Sequence, residues 1–103
     1  MTDEEAKAMS GEPKVIYVGG KPPMNYVLGI IMSFAVPNIK EVILKARGQA
    51  INTAVDAAEM TRHRFMKKLS VSKISIGTEE MPPREGQSRN RNISTIEIVL
   101  TQQ

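Results

Sequence analysis

The sequence contains no cysteine and a single histidine, His63, in 103 residues. Disulfides and thiolate metal sites are excluded, and one imidazole cannot build a His-based metal cluster. Tryptophan is absent, and two tyrosines and two phenylalanines make up the whole aromatic content, so the core must be assembled from Ile, Val, Leu, Met and Ala. No apolar run approaches the roughly 18 residues of a membrane span. The opening MTDEEAKAMSGEP is acidic and polar, unlike a secretory signal. These absences predict a cytosolic protein with no cofactor, no metal and no membrane partner. The length allows one domain with one core.

Charge is present but unevenly placed. In residues 1–12, Asp3, Glu4, Glu5 and Glu12 face only Lys7, a net of −3, so the remainder carries +6 of the overall +3. The first dozen residues have few large apolar side chains and are expected to form a disordered tail, leaving residues 13–103 as the domain. A basic body of this kind suits an anionic polymer.

From Lys14 the pattern becomes regular. KVIYVGG is a short β-branched run closed by glycines and predicts a buried strand and a turn. Lys21-Pro22-Pro23 opens a helix, since proline suits the first helical turn, and MNYVLGIIMSFAV stops before Pro37. That helix is apolar on two sides: Met24, Val27, Leu28, Ile31, Met32 and Ala35 form one stripe, and Tyr26, Ile30 and Phe34 another. Such a helix needs cover on both faces, which a second subunit would provide. EVILKARG predicts a second strand. The next helix is expected from about Gln49 to Lys68, with Ile51, Ala54, Val55, Ala58, Phe65 and Leu69 on its apolar stripe. Arg62, Arg64, Lys67 and Lys68 lie in its last turns, which favour positive charge. VSKISIG and ISTIEIVL alternate as strands, separated by the polar stretch TEEMPPREGQSRNRN.

The order β-α-β-α-β-β predicts an α+β fold, a two-layer sandwich of a four-stranded mixed sheet with both helices on one face. Its last two strands form a hairpin with a long protruding tip. The turn after strand one and the end of strand two then share the edge where open α/β sheets place ligands. That edge carries Lys21, followed by Asn25 and Tyr26, and also Lys45 and Arg47. The hairpin adds Arg84, Arg89 and Arg91 on an arm suited to phosphates, with Glu79, Glu80 and Glu85 diluting its field. Tyr26 either stacks on a sugar or base or packs in a dimer. An enzyme is not expected: no nucleophile–base pair, metal cluster or phosphate loop is evident. Asp56 and Glu59 read as a solvated helix face, and His63, four residues after Glu59, as its surface partner.

The runs GGKPPMNYVLGI, EVILKARGQAINTAVDAAEMTRHRF and ISTIEIVL, in this order and without large gaps, resemble the archaeal Alba chromatin proteins. The resemblance spans nearly everything from Lys14 to Thr101. It implies a fold like the C-terminal domain of a bacterial translation initiation factor. It also implies a homodimer, or a heterodimer with a paralogue, whose two hairpins reach along DNA on either side of a basic body. Lys21 matches the second of two adjacent lysines in that family. The first, associated with regulatory acetylation, is Gly20 here. Arg47 matches the DNA-contacting arginine after strand two, and Gln49 replaces a second arginine. Phe65 falls where relatives join neighbouring dimers, though it also continues the apolar stripe from Ile51 and so fits a core position. The function expected is sequence-independent coating and compaction of double-stranded DNA, chromosome-associated and with no small-molecule substrate. The alternative is RNA binding, as in a ribonucleoprotein.

Overall fold

The computed structural model describes residues 12–102; residues 1–11, most of the expected tail, and Gln103 lie outside the described residues. The elements are β1 (Lys14–Tyr17), α1 (Pro23–Ala35), β2 (Glu41–Arg47), α2 (Ala50–Met60), a π-helical turn at Thr61–Phe65, β3 (Leu69–Met81) and β4 (Arg91–Gln102). They build one four-stranded mixed sheet in the order β1-β2-β4-β3. β1 runs parallel to β2, while β4 is antiparallel to both β2 and β3. The expected α+β order is therefore the observed one.

Strand alternation places the core. Val42, Leu44 and Ala46 of β2 register against Leu100, Ile98 and Ile96 of β4, and all six are buried. They meet Val27, Ile30 and Phe34 of α1 and Ala54, Ala57 and Ala58 of α2. The alanines let α2 approach the sheet closely. On α1 the stripe nearest the sheet is Tyr26, Val27, Ile30, Ser33 and Phe34. Met24, Leu28 and Met32, expected on one apolar stripe with Val27, are instead exposed on the opposite side. The helix starts on Pro23, after Pro22, where a missing N–H costs nothing. It ends because Val36, which precedes Pro37, turns extended at ψ 129°, as a pre-proline residue must.

Helix α2 is shorter than expected from Gln49–Lys68. At Thr61 the ladder widens into a π turn, where the Met66 N–H donates to the Thr61 carbonyl across 2.7 Å. Thr61 is itself fully buried and its hydroxyl donates to the Ala57 carbonyl. The added residue rotates the end of the turn off the 3.6-residue stripe. Phe65 consequently emerges half-exposed, at 49%. Leu69, expected on the helix, is buried as the first residue of β3. Lys67 and Lys68 fall in the connecting turn.

The hairpin is also more ordered than its composition suggests. Thr78, Glu79, Glu80 and Met81 pair with Ser94, Ile93, Asn92 and Arg91, which confines the tip to residues 82–90. β3 is an edge strand of the sheet, and among the described residues no helix covers its outer half. Ile74 and Ile76 pair with the buried Ile98 and Ile96 and so share their face, yet they are 60% and 83% exposed.

Candidate nucleic-acid interface

Strand β1 ends in the turn Gly19-Gly20-Lys21, held from below by Tyr26. The Tyr26 hydroxyl accepts the backbone N–H of Gly19 at 2.9 Å and of Lys21 at 3.2 Å. Tyr26 is buried, and its hydroxyl positions the turn that presents Lys21. Lys21 stands exposed on that turn, and among the described residues it makes no ion pair. Asn25 is exposed in the first turn of α1, its N–H donating to the Pro22 carbonyl.

Strand β2 ends beside this turn, with the Val18 N–H donating to the Lys45 carbonyl at 2.9 Å. Gly48 then adopts φ +59°, a conformation that a side chain would strain, and its N–H donates to Ser94 O at 2.9 Å. The chain is thereby tied to β4 before entering α2. Lys45 and Arg47 project on the open face of the sheet, away from the helices. Each is held by a carboxylate from across the sheet: Lys45 Nζ lies 3.3 Å from Glu97, and Arg47 Nη1 lies 3.1 Å from Glu79. Arg47 Nη1 also reaches Met81 Sδ at 3.7 Å.

Because β4 runs antiparallel to β2, the hairpin leaves the sheet at the edge where β1 and β2 end. Lys21, Lys45, Arg47 and the arm therefore share one end of the molecule. In the arm, Arg84 and Arg89 are exposed and make no ion pair with a described residue. Arg91 sits in β4, its Nε donating weakly to the Pro82 carbonyl at 3.5 Å. Asn90 donates to Glu80, and the tip turns at Gly86, φ +83°, with Gln87 N–H donating to Arg84 O.

A groove of about 1020 Å³ runs between the β1 turn and the ends of β2 and β4, with Gly20, Lys45, Arg47, Glu97 and Tyr17 on its walls. Tyr17 is 75% exposed on the open face, in register with Lys45. Reading KVIYVGG as a buried strand overlooks it. The signal is the alternation itself: with Ile16 and Val18 inward, Tyr17 must point outward.

A further polar cluster lies apart, where α2 passes into the π turn. Glu59 pairs with Arg62 at 2.8 Å and with His63 at 3.2 Å. Among the described residues no group of His, Cys, Asp or Glu could hold a metal ion, and no helix is long and apolar enough to cross a membrane.

Known proteins share this fold. The family model described as Alba matches residues 14–78. A protein of Picrophilus torridus named DNA/RNA-binding protein Alba is 47% identical over 90 residues, spanning 87% of this chain and 97% of that one. The protein of the same name from Methanococcus maripaludis is 48% identical over 86 residues, spanning 84% and 94%. Among solved structures, Alba from Thermoplasma volcanium superposes with a TM-score of 0.78 at 42% identity, covering 86% of this chain and all of that one. An Alba protein of Trypanosoma brucei superposes with a TM-score of 0.68 at 27% identity, covering 86% of this chain and 68% of that one.

Proposed function

The chain belongs to the Alba family, and from that membership we propose that it binds nucleic acid, coating double-stranded DNA as a dimer through phosphate contacts. One observation carries the reading: the Lys21 turn, the Lys45–Arg47 strand end and the arginine-bearing hairpin all leave the sheet at one edge. Cations on loops and strand ends, with no helix among the described residues presented to a groove, suit backbone contacts rather than base reading. The protein is read as a binding protein with no catalytic role, acting on the chromosome. RNA is the second reading, favoured by the names of the relatives, which specify DNA and RNA alike. Competition of unlabelled RNA against a labelled duplex ranks the two.

Affinity is expected to fall steeply with salt, with a logarithmic slope of about 0.9 per phosphate contacted. It should differ little between two unrelated duplexes. Titrations across salt concentrations on both measure this. A flat slope, or a preference above about a hundredfold, would sink the reading.

The dimer is proposed to form through the uncovered isoleucines of β3, and Phe65 to join one dimer to the next. Phe65 is half-exposed and far from the basic edge in sequence and fold. Phe65→Ala should leave the dimer and its thermal stability nearly unchanged while lowering cooperativity along a long duplex. Intact cooperativity with a collapsed melting temperature would instead assign Phe65 to the core.

A further inference from the structure

We propose that Tyr17 is a stacking platform for an unpaired base, making the open face of the sheet a binding site for single-stranded nucleic acid. The proposal rests on the nucleic-acid reading above and extends it to a second class of ligand.

The aromatic residues are few enough to account for one by one. Tyr26 and Phe34 are buried, and Phe65 stands half-exposed after α2. Tyr17 alone lies on the open face, with three-quarters of its surface in water. Strand propensity explains a tyrosine in β1, but not its surroundings. It lines the groove that also holds Lys45 and Arg47, so a π-face and two cations occupy one wall. Single-strand binders combine these two elements: a cationic track for the backbone and an aromatic ring on which any base can stack.

The register gives the site its geometry. Tyr17 pairs with Lys45 across the parallel β1–β2 ladder, and neighbouring strands lie about 4.8 Å apart. A base over Tyr17 thus brings its own phosphate near the Lys45 ammonium, which must swing from Glu97 to meet it. The next row toward the arm, Arg47, Thr95 and Gly77, has little bulk beyond Arg47, leaving room for the following nucleotide. A duplex keeps its base faces stacked internally and offers nothing to Tyr17. The site therefore separates single strands from duplexes although both use the same cations.

The test uses the full-length protein with oligo(dT), oligo(U), an abasic strand of equal length and a duplex. Tyr17→Ala should weaken oligo(dT) and oligo(U) on the order of tenfold and the duplex by less than about twofold. Tyr17→Phe, which keeps the ring, should retain wild-type affinity. The chain has no Trp and only two Tyr, and Tyr26 is buried. Intrinsic tyrosine fluorescence quenched by oligo(dT) or oligo(U), but not by the abasic strand, therefore reports stacking on Tyr17. Equal losses for duplex and single strand in Tyr17→Ala would overturn the proposal. So would abasic binding as tight as that of oligo(dT), or fluorescence unchanged at saturation. If the duplex binds and neither single strand does, the platform is refuted while the duplex reading stands. If nothing binds, both fall together.

Discussion

Ile76→Asp is expected to convert the proposed dimer to a monomer without unfolding the sheet. Ile76 lies on the helix-side face of β3, opposite the buried Ile96, yet 83% of its surface is exposed. Ile74 continues the patch, and Val55 of α2 is also exposed. Two adjacent isoleucines on an edge strand invite cover by a like surface. In a two-fold dimer the same residue enters twice, so two carboxylates would be buried in an apolar contact. The penalty is several kcal/mol, and each 1.4 kcal/mol is about tenfold in dissociation constant. Light scattering at micromolar concentration should report the mass of one chain, with an unchanged far-ultraviolet circular dichroism spectrum. Ile76→Thr, which keeps strand propensity, provides a milder control. The competing surface is the exposed Met24, Leu28 and Met32 side of α1. A dimer that survives Ile76→Asp and breaks with Met32→Asp would transfer the interface there.

Opposite changes are expected at the two ends of one ion pair. Arg47→Ala would remove the proposed charge-assisted phosphate contact and should cost about 1.5–3 kcal/mol of binding free energy per contact. Glu79→Gln should tighten binding several-fold at low salt. The carboxylate 3.1 Å from Arg47 both restrains the guanidinium and repels an arriving phosphate. Both side chains are about half exposed, so the pair itself adds less than about 1 kcal/mol to stability, and neither variant should shift the melting temperature much. Raising salt should erase the Glu79→Gln gain, since the charges are screened. The double variant isolates the coupling: the gain from Glu79→Gln should shrink when Arg47 is already alanine. A Glu79→Gln protein that binds no better than wild type would show that the pair does not gate the edge.

The element order is legible in the sequence because each segment has a strong local signature. Glycine pairs close β1, prolines bracket α1, and β-branched alternation marks β2 and β4. Burial is legible only where one face of an element is covered. Tyr17 is hidden in a segment that reads as a buried strand, because β1 is short and its apolar run masks the alternation. On α1, two stripes of similar hydrophobicity compete, and only docking against the sheet selects Tyr26, Val27, Ile30 and Phe34. The π turn leaves no mark in a 3.6-residue pattern, so Phe65 looks continuous with Ile51 until the extra residue turns it outward. Thr78–Met81 pair through their backbones, and their mostly polar side chains, with only Met81 and Ile93 apolar, carry no periodic signal for that pairing. At the basic edge, topology alone places Lys21, Lys45 and Arg47. The carboxylates that hold Lys45 and Arg47 come from strands far along the chain and depend on register, which sequence spacing does not reveal.

The extended pairing of β3 with β4 sets a length. Past Arg47, which pairs with Thr95, the two strands continue alone from Thr78–Ser94 to Met81–Arg91, a ribbon of about 13 Å at strand rise. Its root is clamped in the sheet, so the loop at 82–90 is carried at a fixed distance and direction rather than trailing freely. In a two-fold dimer a pair of such ribbons acts as a caliper whose opening is set by the subunit contact. The stretch of ligand one dimer covers would then be a property of the scaffold. Lengthening or trimming residues 82–90 should move the outer limits of a footprint while leaving its centre unchanged.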